Sequence, residues 1–210
     1  MKSLLSIRDV HRANHLLNEG SPPSTGLDIE ALRGRLTELS VELGHAPVTL
    51  AVELIAQSQQ IDEPAAWIGS STSVFYPPDA ADWGLDWSAL AVLHLHDAHR
   101  AGRAADKLLR SGAFGVIIVD LIGFRHSSLP APLLGRLLRL AKTHDSAAVF
   151  LTSSADSSPS VSPLVALRVQ TRWRRVDPAR LRCDCTVVKD KRRGPGHHFC
   201  EAYDGPLGLR

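Results

Sequence analysis

The chain has 210 residues, enough for one domain with a full core or one domain with a small appendage. Hydrophobic residues make up 44% and charged residues 22%, which excludes a wholly disordered chain, and no apolar run approaches the roughly 18 residues of a membrane span. The formal charge of +2 hides an asymmetry: residues 1–110 hold 9 Lys/Arg against 14 Asp/Glu, and residues 111–210 hold 15 against 8.

In chain order, residues 4–18 carry Leu4, Leu5, Ile7, Val10, Leu16 and Leu17 among charges, a short helical pattern. Gly20–Gly26 (GSPPSTG) reads as a linker, so the expected division is an arm and linker over 1–26 and a core over 27–210. Residues 35–41 alternate apolar and polar side chains, the pattern of a strand. Residues 48–60 place Leu50, Ala51, Leu54 and Ile55 on one helical face. A short buried strand is expected at 65–69, a short helix opening at Pro77-Pro78-Asp79 and a further strand at 90–95. Residues 98–111 are a helix stopped by Ser111-Gly112. The β-branched run 114–121 reads as a strand buried on both faces, followed by a helix over 131–143 and a strand over 147–152. Strand and helix in this alternation predict βαβ units around a mainly parallel sheet. The Ser/Pro-rich segment 153–163 is expected to be a mobile loop. Segments 164–173, 181–189 and 197–203 are expected as antiparallel strands with turns at Asp177-Pro178 and Gly194-Pro195-Gly196.

The basic half contributes Arg168, Arg172, Arg174 and Arg175, then Lys189, Lys191, Arg192 and Arg193. On a strand, Arg168, Arg172 and Arg174 share one face by the period-2 rule, and Trp173 beside them is a candidate for stacking on a base or a partner. This series is the candidate nucleic-acid-binding surface; a charged solvent face is its alternative. Cys183 and Cys185 share a strand face, and His197, His198 and Cys200 lie downstream, all residue types that bind zinc. A C-x-C in a buried strand more often supplies two small apolar side chains, and no metal is expected. His94, His96 and His99 read as a histidine cluster at a sheet rim. No Ser/His/Asp arrangement is legible from spacing, and catalytic residues are not assigned. An odd cysteine count fits a reducing compartment, so a cytoplasmic protein is expected.

From about residue 24 to 193 the chain resembles the RecA-type recombinase core. The resemblance rests on STGLDIEALRGRLTEL (24–39), TLAVELIAQSQ (49–59), AAWIG (65–69), DWGLD (82–86), LLRSGAFGVIIVDL (108–121) and VVKDK (187–191). It implies an α/β RecA-like core, with a mainly parallel central sheet, antiparallel C-terminal strands and helices on both faces. Its phosphate-binding loop needs G-x-x-x-x-G-K-[ST], whose backbone N–H groups, lysine and hydroxyl hold the phosphates and Mg²⁺. Anchored on TLAVELIAQ, that loop falls on Val41–Thr49: Val41 and Ala46 replace the glycines, Pro47 the lysine and Val48 the hydroxyl, with Gly44 and Thr49 displaced from the pattern. Pro47 also lacks a backbone donor, Glu42 adds a negative charge, and the family's catalytic glutamate falls near Ser71. Asp120 keeps the Walker B position and reads as a strand-end carboxylate capping a neighbouring loop. ATP hydrolysis is therefore not expected, and no cofactor is implied.

The shortness, the lost loop and the Leu-rich helix are similar to the ImuA family, RecA-like accessory factors of damage-induced, error-prone translesion synthesis. That resemblance implies a non-catalytic adaptor whose partner is an ImuB-like inactive Y-family polymerase relative, engaged through a RecA-like N-terminal segment, and no membrane. DNA, RecA and a second copy of the chain are further partners it admits. RecA subunits join by laying a helix and strand on a neighbour's core, so an open sheet edge beside an apolar helix groove is expected, with helices 48–60 and 98–111 as candidates. The competing readings are a SulA-like inhibitor of cell division binding FtsZ and an active RecA-type recombination ATPase.

Overall fold

The computed structural model describes residues 26–41, 46–73, 75–77, 80, 83–155, 157–177 and 180–204. The expected arm and nearly all of its linker lie outside the described residues, as does most of the helix opening expected at Pro77–Asp79.

A four-residue helix α1 (Ile29–Leu32), capped by Asp28, leads into β1 (Leu36–Val41). Then follow α2 (Ala46–Gln60), β2 (Ala65–Ser70), a 3₁₀ turn at Trp87–Ala89 and β3 (Leu90–Leu95). Next come α3 (Ala98–Ser111), β4 (Val116–Asp120), α4 (Ala131–His144) and β5 (Ala147–Ser153). The last described elements are β6 (Leu167–Asp177), β7 (Arg180–Asp190) and β8 (His198–Asp204). All eight strands form one sheet in the order β3-β2-β4-β5-β1-β6-β7-β8. Pairing is parallel from β3 through to β6 and antiparallel across β6, β7 and β8. This is the RecA-like α/β architecture that the sequence implied.

Two apolar layers sandwich the sheet. On one face α1 and α2 pack Leu50, Leu54 and Ile55 against Leu39, Trp67, Ile118 and Val149. On the other, α3 and α4 pack Ala101, Ala105, Leu134 and Leu137 against Ile68, Ile117, Val119 and Phe150. With helices on both faces, the central strands have no solvent side, so β1 is buried at all six residues despite its alternating sequence. Its polar positions must then find partners inside: Glu38 and Ser40 do, whereas the Thr37 hydroxyl is buried without a hydrogen bond.

β4 is shorter than the 114–121 run because Phe114 and Gly115 form its entry; the Gly115 N–H donates to Pro64. β6 starts at Leu167, after a turn in which the Val165 N–H donates to Ser162, and runs on to Asp177. The segment expected to be a mobile loop, 153–163, is instead fastened to the sheet by side chains described below.

α3 shows how local chemistry sets an element. The Asp97 carboxylate accepts the Arg100 N–H at 2.7 Å to cap its start, and Gly112 at φ 67° closes its end in the left-handed conformation. A Cβ at Gly112 would also meet His144 Nδ1 at 2.7 Å. Gly112→Ala is expected to cost about 1 kcal/mol, lowering the thermal midpoint by about 2–4 °C in a chain of this size. Calorimetry checks this.

Candidate functional site

Three surfaces carry the residues that the sequence singled out. The first is the rim formed by the carboxyl ends of the parallel strands, where open α/β sheets bind ligands. Val41 ends β1 opposite Ser153, and Asp120 ends β4 opposite Leu151. Gly44 lies outside the described residues. α2 begins at Ala46, which is fully buried, followed by buried Pro47 and half-buried Val48 and Thr49. A helix N-terminus holds an anion through free N–H groups. This one begins with two apolar residues, the second of which has no N–H.

Asp120 is 1% exposed. Its Oδ2 accepts from Ser73 Oγ at 2.5 Å and its Oδ1 from the Ile122 N–H at 3.0 Å. Around it Ser70 Oγ accepts the Thr72 N–H at 3.1 Å, and Thr72 Oγ1 donates to the Gly123 carbonyl at 3.2 Å. Both carboxylate oxygens therefore strap the turn after β2 to the turn after β4, the arrangement expected of a loop-capping carboxylate. Ser71, where the family's glutamate falls, is an exposed turn residue.

The second surface is the basic series, and here the structure corrects the sequence. Arg168 is 3% exposed and faces inward. Its guanidinium lies 3.6 Å from the Glu38 carboxylate, which is 1% exposed. It donates to Ser40 Oγ at 3.2 Å, Ser154 Oγ at 3.0 Å, the Ala155 carbonyl at 2.7 Å and the Ser158 carbonyl. Glu38 in turn accepts from Thr152 Oγ1 at 2.8 Å and the Val161 N–H at 3.1 Å. Arg168 is thus no part of the exposed basic surface; with Glu38 it pins the Ser/Pro-rich segment to the sheet. Trp173 is also displaced from the expected surface, because its half-buried ring packs on the α2 face, opposite Arg172 and Arg174.

The remaining cations separate into two groups. Arg172, Arg174 and Arg175 are exposed near the β6–β7 turn, past the end of β1. Arg174 and Arg182 both pair with Asp184, at 2.8 and 2.6 Å, which cancels part of their charge. Lys189, Lys191, Arg192 and Arg193 lie at the opposite end of β7, roughly 20 Å away at about 3.3 Å per residue. There Lys189 and Lys191 both donate to the Pro163 carbonyl, at 3.4 and 2.8 Å. Burial, then repulsion from Lys191 and Arg168, pushes the Lys189 ammonium below its usual range. Asp190 between them sits below the ordinary carboxylate range: burial opposes this, but the Arg192 N–H and the Arg35 guanidinium at 3.0 Å outweigh it.

The cysteines and histidines do not converge. Cys183 and Cys185 are buried in the apolar layer under α2 with their sulfurs 3.7 Å apart, and Cys200 is exposed on β8. Among the described residues no group of three or more His, Cys, Asp or Glu is placed to hold a metal. His94 Nδ1 lies 3.1 Å from the Ser70 carbonyl and His198 Nδ1 3.0 Å from Thr186 Oγ1.

The third surface is the β3 edge. Among the described residues β3 pairs with β2 alone. Val92 is exposed on it, and an open groove of about 330 Å³ lies between β3 and α3. Leu93, Leu95, Ala104 and Leu108 line it together with Arg100, Arg103 and Lys107. Of the two candidate helices, it is 98–111 that borders the open edge.

With this geometry in hand, the relatives are informative. The chain is 30% identical over 120 residues to protein RecA of Kineococcus radiotolerans, covering 51% of this chain and 34% of that protein. It is 31% identical over the same length to protein RecA of Corynebacterium diphtheriae, covering 51% and 32%. For Bifidobacterium longum RecA the identity is 29%, with 51% and 30% covered. The chain thus spans about a third of the curated relatives it matches, and no protein-family model matches it. Similarity and architecture together define a RecA-like protein.

Glu38 was the residue sequence reasoning passed over. Its only signal was a carboxylate in the middle of a strand otherwise fit for the core. Breaking the buried pair by Glu38→Gln or Arg168→Met should cost about 3–5 kcal/mol each in urea unfolding. The double variant should cost clearly less than the sum of the two, and limited proteolysis should cut first within 153–165 in either single variant.

Proposed function

We propose that the protein is a non-catalytic RecA-like adaptor in damage-induced, error-prone translesion synthesis. Its partner is an ImuB-like protein, which docks a RecA-like strand and helix on this core. The observation that carries the reading is the β3 edge: a strand paired on one side only among the described residues, with an exposed Val92, beside an apolar-floored groove on α3. An added strand would satisfy its free backbone groups and an apolar side chain would fill the groove. The residues at the phosphate-loop position agree with a role that needs no nucleotide. The exposed arginines Arg172, Arg174 and Arg175 on the β6–β7 hairpin are the part suited to contact DNA phosphates.

Size-exclusion light scattering of the full chain with an ImuB-like protein tests the reading. The expected result is a stable heterodimer that Ala104→Glu, a charge placed on the groove floor, weakens at least roughly tenfold. A chain that forms no complex, or a complex indifferent to Ala104→Glu, contradicts it. Capture of FtsZ in its place supports the SulA-like alternative.

A further inference from the structure

We infer that the β3–α3 groove is built to select an acidic amphipathic segment of another protein and to reject this chain's own N-terminal arm. This rests on the docking reading above but adds the chemistry of the occupant.

The argument is one of uncompensated charge around an apolar floor. Leu93 and Leu95 from β3 and Ala104 and Leu108 from α3 form the floor, and the charged residues lining it are Arg100, Arg103 and Lys107. Among the described residues no carboxylate lines the groove. The two acids of α3 and its cap are committed elsewhere. Asp97 caps the helix and pairs with Arg100 at 3.3 Å. Asp106 is turned to Arg110 at 3.2 Å and Arg136 at 2.5 Å. It stays ionised, because those two guanidinium partners outweigh the burial that raises its pKa. Arg103 and Lys107 are exposed and form no ion pair among the described residues. They stand four residues apart on one helical face, along the length a docked helix or strand would follow. An occupant must therefore bring apolar side chains for the floor and carboxylates for the rim.

The chain's own first 25 residues are poorly matched to this. They carry Leu4, Leu5, Ile7, Val10, Leu16 and Leu17, but their charges are Lys2, Arg8 and Arg12 against Asp9 and Glu19, with His11 and His15 besides. Like charges facing across an interface disfavour a partner as strongly as matched charges favour one. The groove thus discourages self-association through the arm and leaves the edge open for a different protein.

Two synthetic peptides with one apolar skeleton test this. One is residues 1–19 as they stand; the other carries Lys2→Glu, Arg8→Glu and Arg12→Glu. Fluorescence anisotropy with the full chain is expected to give roughly tenfold tighter binding of the acidic peptide, a preference that shrinks at high salt. In the Arg103→Glu/Lys107→Glu protein, whose changes lie at exposed positions, the preference should vanish or invert. Equal binding of both peptides, both lost in Ala104→Glu, would overturn the acidic selectivity while leaving the docking site standing. A preference for the native arm, or one that survives the double charge reversal, would also overturn it. Binding of neither peptide, together with an ImuB-like complex indifferent to Ala104→Glu, would remove the docking site and the selectivity with it.

Discussion

The buried contact between Glu38 and Arg168 is the constraint on which the C-terminal half of the fold depends. Two charges taken out of water cost several kcal/mol each, and only good geometry with every remaining bond filled recovers that. Here the recovery comes from the segment between β5 and β6. Ser154, Ala155 and Ser158 supply oxygens to the guanidinium, while Thr152 and the Val161 N–H donate to the carboxylate. A sequence rich in Ser and Pro, poor in apolar anchors, is thereby given a single path back along β1, from Ser153 opposite Val41 to Leu167 opposite Thr37. That path delivers β6 parallel to β1, and from β6 the antiparallel β7 and β8 follow.

The same economy governs the carboxyl rim. Asp120 joins the turns after β2 and β4 through its two oxygens, and α2 opens on buried Ala46 and Pro47. The open features lie elsewhere, at the sheet edge beside α3 and on the β6–β7 hairpin. A RecA-like frame held by internal bonds, with a strand edge and a basic hairpin at its periphery, is compatible with the proposed adaptor role.

Much of the frame was legible because its signals are local. The β-branched run of β4, the Gly112 stop of α3 and the leucine face of α4 each follow from one stretch of sequence. Parity along β6 already put Trp173 on the face opposite Arg172 and Arg174, so its inward packing was readable. The fate of Arg168 was not: period-2 geometry correctly grouped it with Arg172 and Arg174, but a carboxylate 130 residues away turned it inward. Likewise the split of the basic series follows from the antiparallel register of β6 and β7, which sends Arg172–Arg175 and Lys189–Arg193 to opposite ends. The edge that β3 leaves open among the described residues is a property of strand order across the whole sheet, and no window of sequence contains it.

The central proposal is that this fold stands and works without a nucleotide. Thermal unfolding of the full chain with and without millimolar Mg²⁺-ATP tests that most directly, because any ligand bound only by the folded state raises the midpoint. The account predicts superimposable transitions. ATP at about a hundred times its dissociation constant would add about 2.7 kcal/mol, and a rise of about 5 °C or more that grows with ATP concentration would contradict the account.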